Sequence, residues 1–218
     1  MSPSLVIFDN DGVLVDSEML SAAIEAEELT RLGRPTSTEE AMRLFLGMTH
    51  GDMVRHIRDV MRIELPADHL ERNAERLAEA YKTRLVAMPG VAALIDRLPM
   101  PCCVASNSPP AKLGLGLAVT GLFERLYPHI FCAKLVKRGK PAPDLFLYAA
   151  EKMGVSPQNT VVIEDSVAGV TGAHAAGMDV IGFLGGSHHD SGSADRLRAA
   201  GARRIAHSME EVGAFLDV

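Results

Sequence analysis

A chain of 218 residues, 47% of them hydrophobic, can bury a full core without staples, and its length suits one domain or a core with a small accessory domain. A net charge of −6, with acidic and basic residues interspersed and no tract rich in lysine or arginine, speaks against a nucleic-acid binder. Three cysteines, Cys102, Cys103 and Cys132, exclude a disulfide framework and fit a reducing cytoplasm as small buried hydrophobes. No charged-then-apolar leader precedes the first apolar run, and no apolar stretch reaches the roughly 18 residues of a membrane span. The expectation is therefore a cytoplasmic protein with no membrane partner.

In chain order, the first element is the apolar run SLVIF (Ser4 to Phe8), which reads as a buried strand. It ends abruptly in FDNDGVLVDSE (Phe8 to Glu18), where four carboxylates and an asparagine crowd the strand's carboxyl end. Helical patterns fill the next stretch: SEMLSAAIEAEELTRLG, TSTEEAMRLFLG, GDMVRHIRDVMR and ADHLERNAERLAEAYKTRL, punctuated by Gly33, Gly47 and Pro66. An all-helical insertion over residues 16–87 is expected, placed to act as a lid on the crevice at the strand ends. Asp16, Ser17 and Glu18 read as its helix cap.

Four more apolar runs follow: CCVAS (102–106), HIFCA (129–133), TVVIE (160–164) and DVIGF (179–183). Their lack of alternation suits strands covered on both faces, as in a parallel sheet. Helical patterns between them, PAKLGLGLAVTGLFERL, APDLFLYAAEKMG and SVAGVTGAHAAGM, give an α/β fold. It is a doubly wound, Rossmann-like parallel sheet over residues 1–15 and 88–218, with the helical cap domain inserted at 16–87. GLGLG (Gly114, Gly116) imitates a dinucleotide fingerprint but lies inside a helical stretch. GGSHHDSG (185–192) puts His188, His189 and Asp190 together, but reads as a flexible loop after a strand rather than a metal site, since two adjacent histidines seldom ligate one ion well.

Each strand stops in polar residues of a different kind. The first offers Asp9, Asn10 and Asp11; the second Ser106, Asn107 and Ser108. The third region leads to Lys137, Arg138 and Lys140, and the fourth to Glu164 and Asp165. Singly these are turn or cap residues; on one sheet edge they form a site. Asp9, Asp11, Glu164 and Asp165 cannot all stay ionised in one crevice without a cation, and hard oxygen donors favour Mg²⁺. Lys140 with the Ser106 and Asn107 donors would hold phosphate oxygens opposite the metal. That set suits phosphoryl transfer, with one aspartate attacking and its neighbour shuttling the proton. Lys137 and Arg138 read as solvated charges, and Thr49, His50 and Arg55 as lid residues that could read the substrate.

FDNDGVLVDSE resembles the first motif of the haloacid dehalogenase-like hydrolase superfamily, SNS its second, the lysine of GKPAPD its third and IEDSVAG its fourth, in order and along essentially the whole chain. The helical insertion after the first motif is similar to the beta-phosphoglucomutase-like branch. The resemblance implies Asp9 as nucleophile, Asp11 as general acid and base, and Ser106 and Lys140 as phosphate ligands. Asn107 would help through its backbone. The resemblance also implies Mg²⁺ held by the Asp9 side chain, the Asp11 backbone carbonyl and Asp165, with Glu164 binding directly or through a neighbour.

Membership leaves the reaction open. Asp11 and the Glu164–Asp165 pair speak against the metal-free dehalogenases, and the absence of a lid lysine before Lys82 against a phosphonatase. The mutase lid motif resembles KGVSRED, where this chain reads LGMTHGD: Leu46 stands for a lysine and His50 for an arginine, while Ser21 stands where the mutase has a lid-entry histidine. The expectation is a phosphatase of a small phosphorylated metabolite such as a sugar phosphate, for which a monomer suffices. A phosphomutase and a silent phosphate-binding module are the alternatives.

Overall fold

The computed structural model describes residues 2–45, 48 and 50–218. Six parallel strands form one sheet: β1 (Leu5–Phe8), β2 (Cys102–Ser106), β3 (Ile130–Cys132), β4 (Thr160–Glu164), β5 (Asp179–Phe183) and β6 (Arg204–Ala206). Their spatial order is β3-β2-β1-β4-β5-β6. The sixth strand went unread in the sequence because its three residues, RIA, carry no periodic signal. Every residue of β1 and β4 is buried. Leu5, Ile7, Cys103, Val162 and Val180 pack into one apolar cluster. Their chain neighbours Val6, Phe8, Val104 and Ile163 point to the opposite face and are equally buried. Both faces being covered explains why these strands lack alternation.

Contacts divide the chain into two compact units, 1–16 with 86–218, and Ser17–Leu85. The second unit holds α1 (Glu18–Arg31), α2 (Thr38–Phe45), α3 (His50–Arg55) running on into a π-helical turn at His56–Val60, and α4 (His69–Arg84). Between α1 and α4 it buries a polar group of Glu25, Glu28, His69 and Asn73, where apolar residues would be the cheaper filling. Arg31 holds Glu28 down at about 2. Burial, reinforced by Glu28, pushes the carboxyl of Glu25 up to about 7. Ser17 sits at the N-cap of α1 but makes no capping hydrogen bond. The carboxylate of Asp16 instead accepts a hydrogen bond from Ser187 Oγ at 3.0 Å.

The first unit completes the sheet with α5 (Val91–Arg97), α6 (Pro110–Val119), α7 (Phe123–Leu126), α8 (Asp144–Lys152), α9 (Val167–Ala175), α10 (Ser193–Ala200) and α11 (Met209–Phe215). The expected single helix after β2 is two, α6 and α7, separated by Gly121 at φ +72°. Gly114 and Gly116 lie inside α6 and form no phosphate loop. At the two chain crossings between units, Val15 bridges Ala87 and Asp16 N–H donates to the Val86 carbonyl at 3.1 Å. Phe8 is in register with Val104 of β2 and Ile163 of β4, so the carboxyl ends of the three strands open on one edge, within two residues of one another. The chain order reverses around β1, which makes this carboxyl edge the crevice of the fold. Among the described residues no helix is long and apolar enough to cross a membrane.

Candidate active site

Asp9 follows β1 directly, and Asp165 follows β4. Both are buried, as are Lys140 and Glu164. The ammonium of Lys140 lies 2.8 Å from Asp9 Oδ1 and 2.6 Å from Glu164 Oε1. Carboxylate oxygens of Asp9, Glu164 and Asp165 all lie within 4.8 Å of one another. One ammonium thus faces three buried carboxylates. Burial pushes the Asp9 carboxyl well above the usual carboxylate range; Lys140 pulls against this, while Glu164 and Asp165 add to it. Burial alone would lower the Lys140 pKa, but Asp9 and Glu164 outweigh it and hold the ammonium charged. A cation among these oxygens would offset the excess negative charge and favour the ionised form of Asp9.

The first turn after β1 makes the crowding possible. Gly12 has φ +78°, a left-handed conformation that suits glycine. A Cβ there would lie 1.8 Å from Asp165 Oδ2. The backbone can therefore pass against the acid only without a side chain.

Asp11 does not join the cluster of three carboxylates. Its carboxylate accepts from Ser108 Oγ at 2.6 Å and pairs with Lys112 Nζ at 2.9 Å. Ser106, buried at the end of β2, accepts the Ser108 N–H at 3.0 Å, which leaves its own hydroxyl proton to donate. Asn107 has a job that spacing did not suggest: its Nδ2 donates to the Lys140 carbonyl at 3.0 Å and its Oδ1 accepts the Lys140 N–H at 2.9 Å. Its side chain is spent on the backbone that carries the lysine.

Glu164 is fully enclosed. Besides Lys140 it accepts from Ser166 N–H and Ser166 Oγ, each at 2.9 Å, while Ser166 also caps α9. Arg138 pairs with Asp144 on α8, and Lys137 is exposed; both stay clear of the cluster. Arg55 pairs with Asp52 on its own helix, exposed. Thr49 and the side chain of His50 lie outside the described residues.

The sequence reading gave no role to Lys112, Ser166 or His188, none of its own to Ser108, and a different one to Asn107. Ser108, Ser166 and His188 lay inside segments it singled out, SNS, IEDSVAG and GGSHHDSG, whereas Lys112 carried no signal. The GGSHHDSG segment reaches this cluster: the side chain of His188 is buried, with Nε2 3.1 Å from Asp165 Oδ2. The ring of His189 lies against it at a 42° tilt, ring centroids 3.9 Å apart. Burial, then the neighbouring His188, brings His189 down to about 4.

Residues 3–177 match a family model described as haloacid dehalogenase-like hydrolase. A solved structure of a conserved haloacid dehalogenase-like protein of unknown function from Agrobacterium tumefaciens is 41% identical, covers 98% of this chain and 97% of its own, and superposes with a TM-score of 0.89. Hexitol phosphatase A of Escherichia coli is 33% identical over 215 residues, 94% of this chain and 91% of its own. The 6-phosphogluconate phosphatase of Escherichia coli is 29% identical over 191 residues, 84% of each chain.

Proposed function

The chain belongs to the haloacid dehalogenase-like hydrolase family and is a phosphatase of phosphorylated metabolites, and we propose that it hydrolyses a phosphorylated sugar, polyol or sugar acid through a phosphate ester of Asp9, with Mg²⁺ as cofactor. The observation that carries this is Lys140 lying between Asp9 and Glu164 with Asp165 alongside. Relatives that act on hexitol phosphates and 6-phosphogluconate support the substrate class.

The donor set fits Mg²⁺, since the three clustered groups around Asp9 are oxygen donors, and Gly12 keeps the approach to Asp165 open. Asp9 and Asp165 would hold the ion with the Asp11 carbonyl. Glu164, enclosed by Lys140 and Ser166, would act from behind them. When bound, Mg²⁺ neutralises charge on the carboxylates and on the transferring phosphoryl group.

The rest is work for this chain's own side chains. Lys140 and the Ser106 hydroxyl hold phosphoryl oxygens and keep phosphorus in line with Asp9. An Asp9 oxygen attacks phosphorus; the bond to the substrate's bridging oxygen breaks, and Asp11 gives that oxygen its proton. Asp11, now a base, takes a proton from water as the water attacks phosphorus. The bond between Asp9 and phosphorus breaks, and inorganic phosphate and free aspartate result. Ser108 and Lys112 hold the Asp11 carboxylate in place for both steps. In this reading residues 16–87 are the substrate-selecting cap, with Thr49, His50 and Arg55 its candidate readers.

The test is a panel of sugar, polyol and aldonate phosphates with p-nitrophenyl phosphate, assayed for phosphate release with Mg²⁺ and with chelator. Metal-dependent release that disappears in Asp9→Asn is expected. Folded protein that releases phosphate from none of them, or that isomerises a hexose phosphate with little free phosphate, would overturn the proposal.

A further inference from the structure

We propose that His188 is a positioning residue that orients the carboxylate of Asp165 and thereby sets the site's affinity for Mg²⁺; this rests on the reading of Asp165 as a Mg²⁺ ligand. His188 belongs to the loop after β5, remote in sequence from all four motif segments. Its side chain is nevertheless 3% exposed, against 6% for Asp165, and the Nε2 to Oδ2 distance of 3.1 Å is that of a hydrogen bond.

The ring is seated by two glycines. A Cβ on Gly12 would stand 2.9 Å from His188 Cε1, and one on Gly186 would stand 2.7 Å from the same atom and 2.8 Å from Nδ1. No residue with a side chain fits at either place while the imidazole stays where it is. The loop itself is pinned one residue earlier, where Ser187 Oγ donates to Asp16 Oδ1 at 3.0 Å. Asp16 lies seven residues after Asp9 on the segment leaving β1, so the loop after β5 is tied to the strand exit that carries the nucleophile.

The chemistry follows from a carboxylate having two oxygens. An imidazole N–H donating to Oδ2 fixes rotation of the Asp165 carboxylate and presents the acid to the ion in one orientation. It also spreads the carboxylate's charge where Asp9 and Glu164 crowd it. Outer partners of this kind typically contribute roughly 10–100-fold in metal affinity or activity. A loop that merely packed against the site would contribute to stability and leave the ion's affinity alone.

The experiment measures Mn²⁺ binding by the loss of the free-ion electron paramagnetic resonance signal. It uses the full chain and the variants His188→Ala, His188→Gln and Gly186→Ala, beside the Mg²⁺ dependence of phosphate release. His188→Ala should weaken Mn²⁺ binding by about 10–100-fold and raise half-maximal Mg²⁺ by the same factor, with kcat at saturating Mg²⁺ within about threefold of the parent. His188→Gln, which keeps an N–H donor, should recover most of the loss. Gly186→Ala, which crowds the ring without touching Asp165, should lose affinity in the same direction, and it carries the test if His188→Ala does not fold. Folded variants that all bind Mn²⁺ within about twofold of a parent that binds it would overturn the role of His188 alone. A parent that binds no Mn²⁺ would overturn the Asp165 assignment and this inference together.

Discussion

Replacing Lys140 with methionine keeps the stem and removes the one cation lodged between Asp9 and Glu164. The ammonium sits 2.8 Å and 2.6 Å from its two partners, and the side-chain exposures are 3%, 12% and 0% for Lys140, Asp9 and Glu164. At such separations each attraction is about 6 kcal/mol in a medium of effective dielectric ~20, before the cost of dehydrating the charges. After that cost, deleting one member of a buried ion pair destabilises by about 3–5 kcal/mol, because the remaining charges are left uncompensated. Lys140→Met should lose that much in urea unfolding at pH 7.5 without metal, followed by circular dichroism, and kcat/KM should fall by about 10²-fold or more. The loss should depend on pH in a definite direction. Asp9 already has a raised carboxyl pKa, and removing Lys140 raises it further. An acid raised in the folded state contributes stability at low pH that is lost as pH climbs through its folded value. The deficit should therefore shrink at pH 5.5, where Asp9 is more fully protonated. Lys140 itself is raised and stays charged at both pH values, so it adds no slope. A deficit below about 1 kcal/mol at pH 7.5, or one that grows on acidification, would overturn the electrostatic account of the site.

Glu25 gives a second pH test, in the helical unit. Its carboxyl is raised from 4.5 to about 7, chiefly by burial and then by Glu28, so its contribution is complete below 4.5 and lost as pH rises through 7. Glu25→Gln should gain about 2–3 kcal/mol over the parent at pH 8 and nothing near pH 4.5; equal melting temperatures at pH 8 would contradict it. Gly12→Ala places a Cβ 1.8 Å from Asp165 Oδ2 at a φ of +78°. About 1–2 kcal/mol of backbone strain and a displaced Asp165 should follow, seen as weakened Mn²⁺ binding in calorimetry; unaltered binding would refute the crowding. Asn107→Ala removes both hydrogen bonds from the Lys140 backbone. It should cost about 1–3 kcal/mol in thermal unfolding and lower kcat more than it raises KM, whereas a change in KM alone would make Asn107 a direct substrate ligand.

Much of the site was written locally. A buried strand run into acids at FDNDG, polar residues closing CCVAS, and the pair after VVI mark strand ends that a parallel sheet must bring to one edge, because βαβ crossovers return every strand in the same direction. Local pattern also carried the run of helices that follows the first strand. What the fold alone decided are partnerships between loops that only sheet order makes neighbours. Asn107 clasps the backbone of Lys140, and Ser108 and Lys112 reach back to Asp11. His188 crosses to Asp165. No periodicity encodes such pairs, since a side chain's partner across a crevice depends on loop path and on where glycines leave room. The residue types gathered at the candidate site are a local property of the chain; how those residues are held, charged and oriented is a property of the assembled sheet edge.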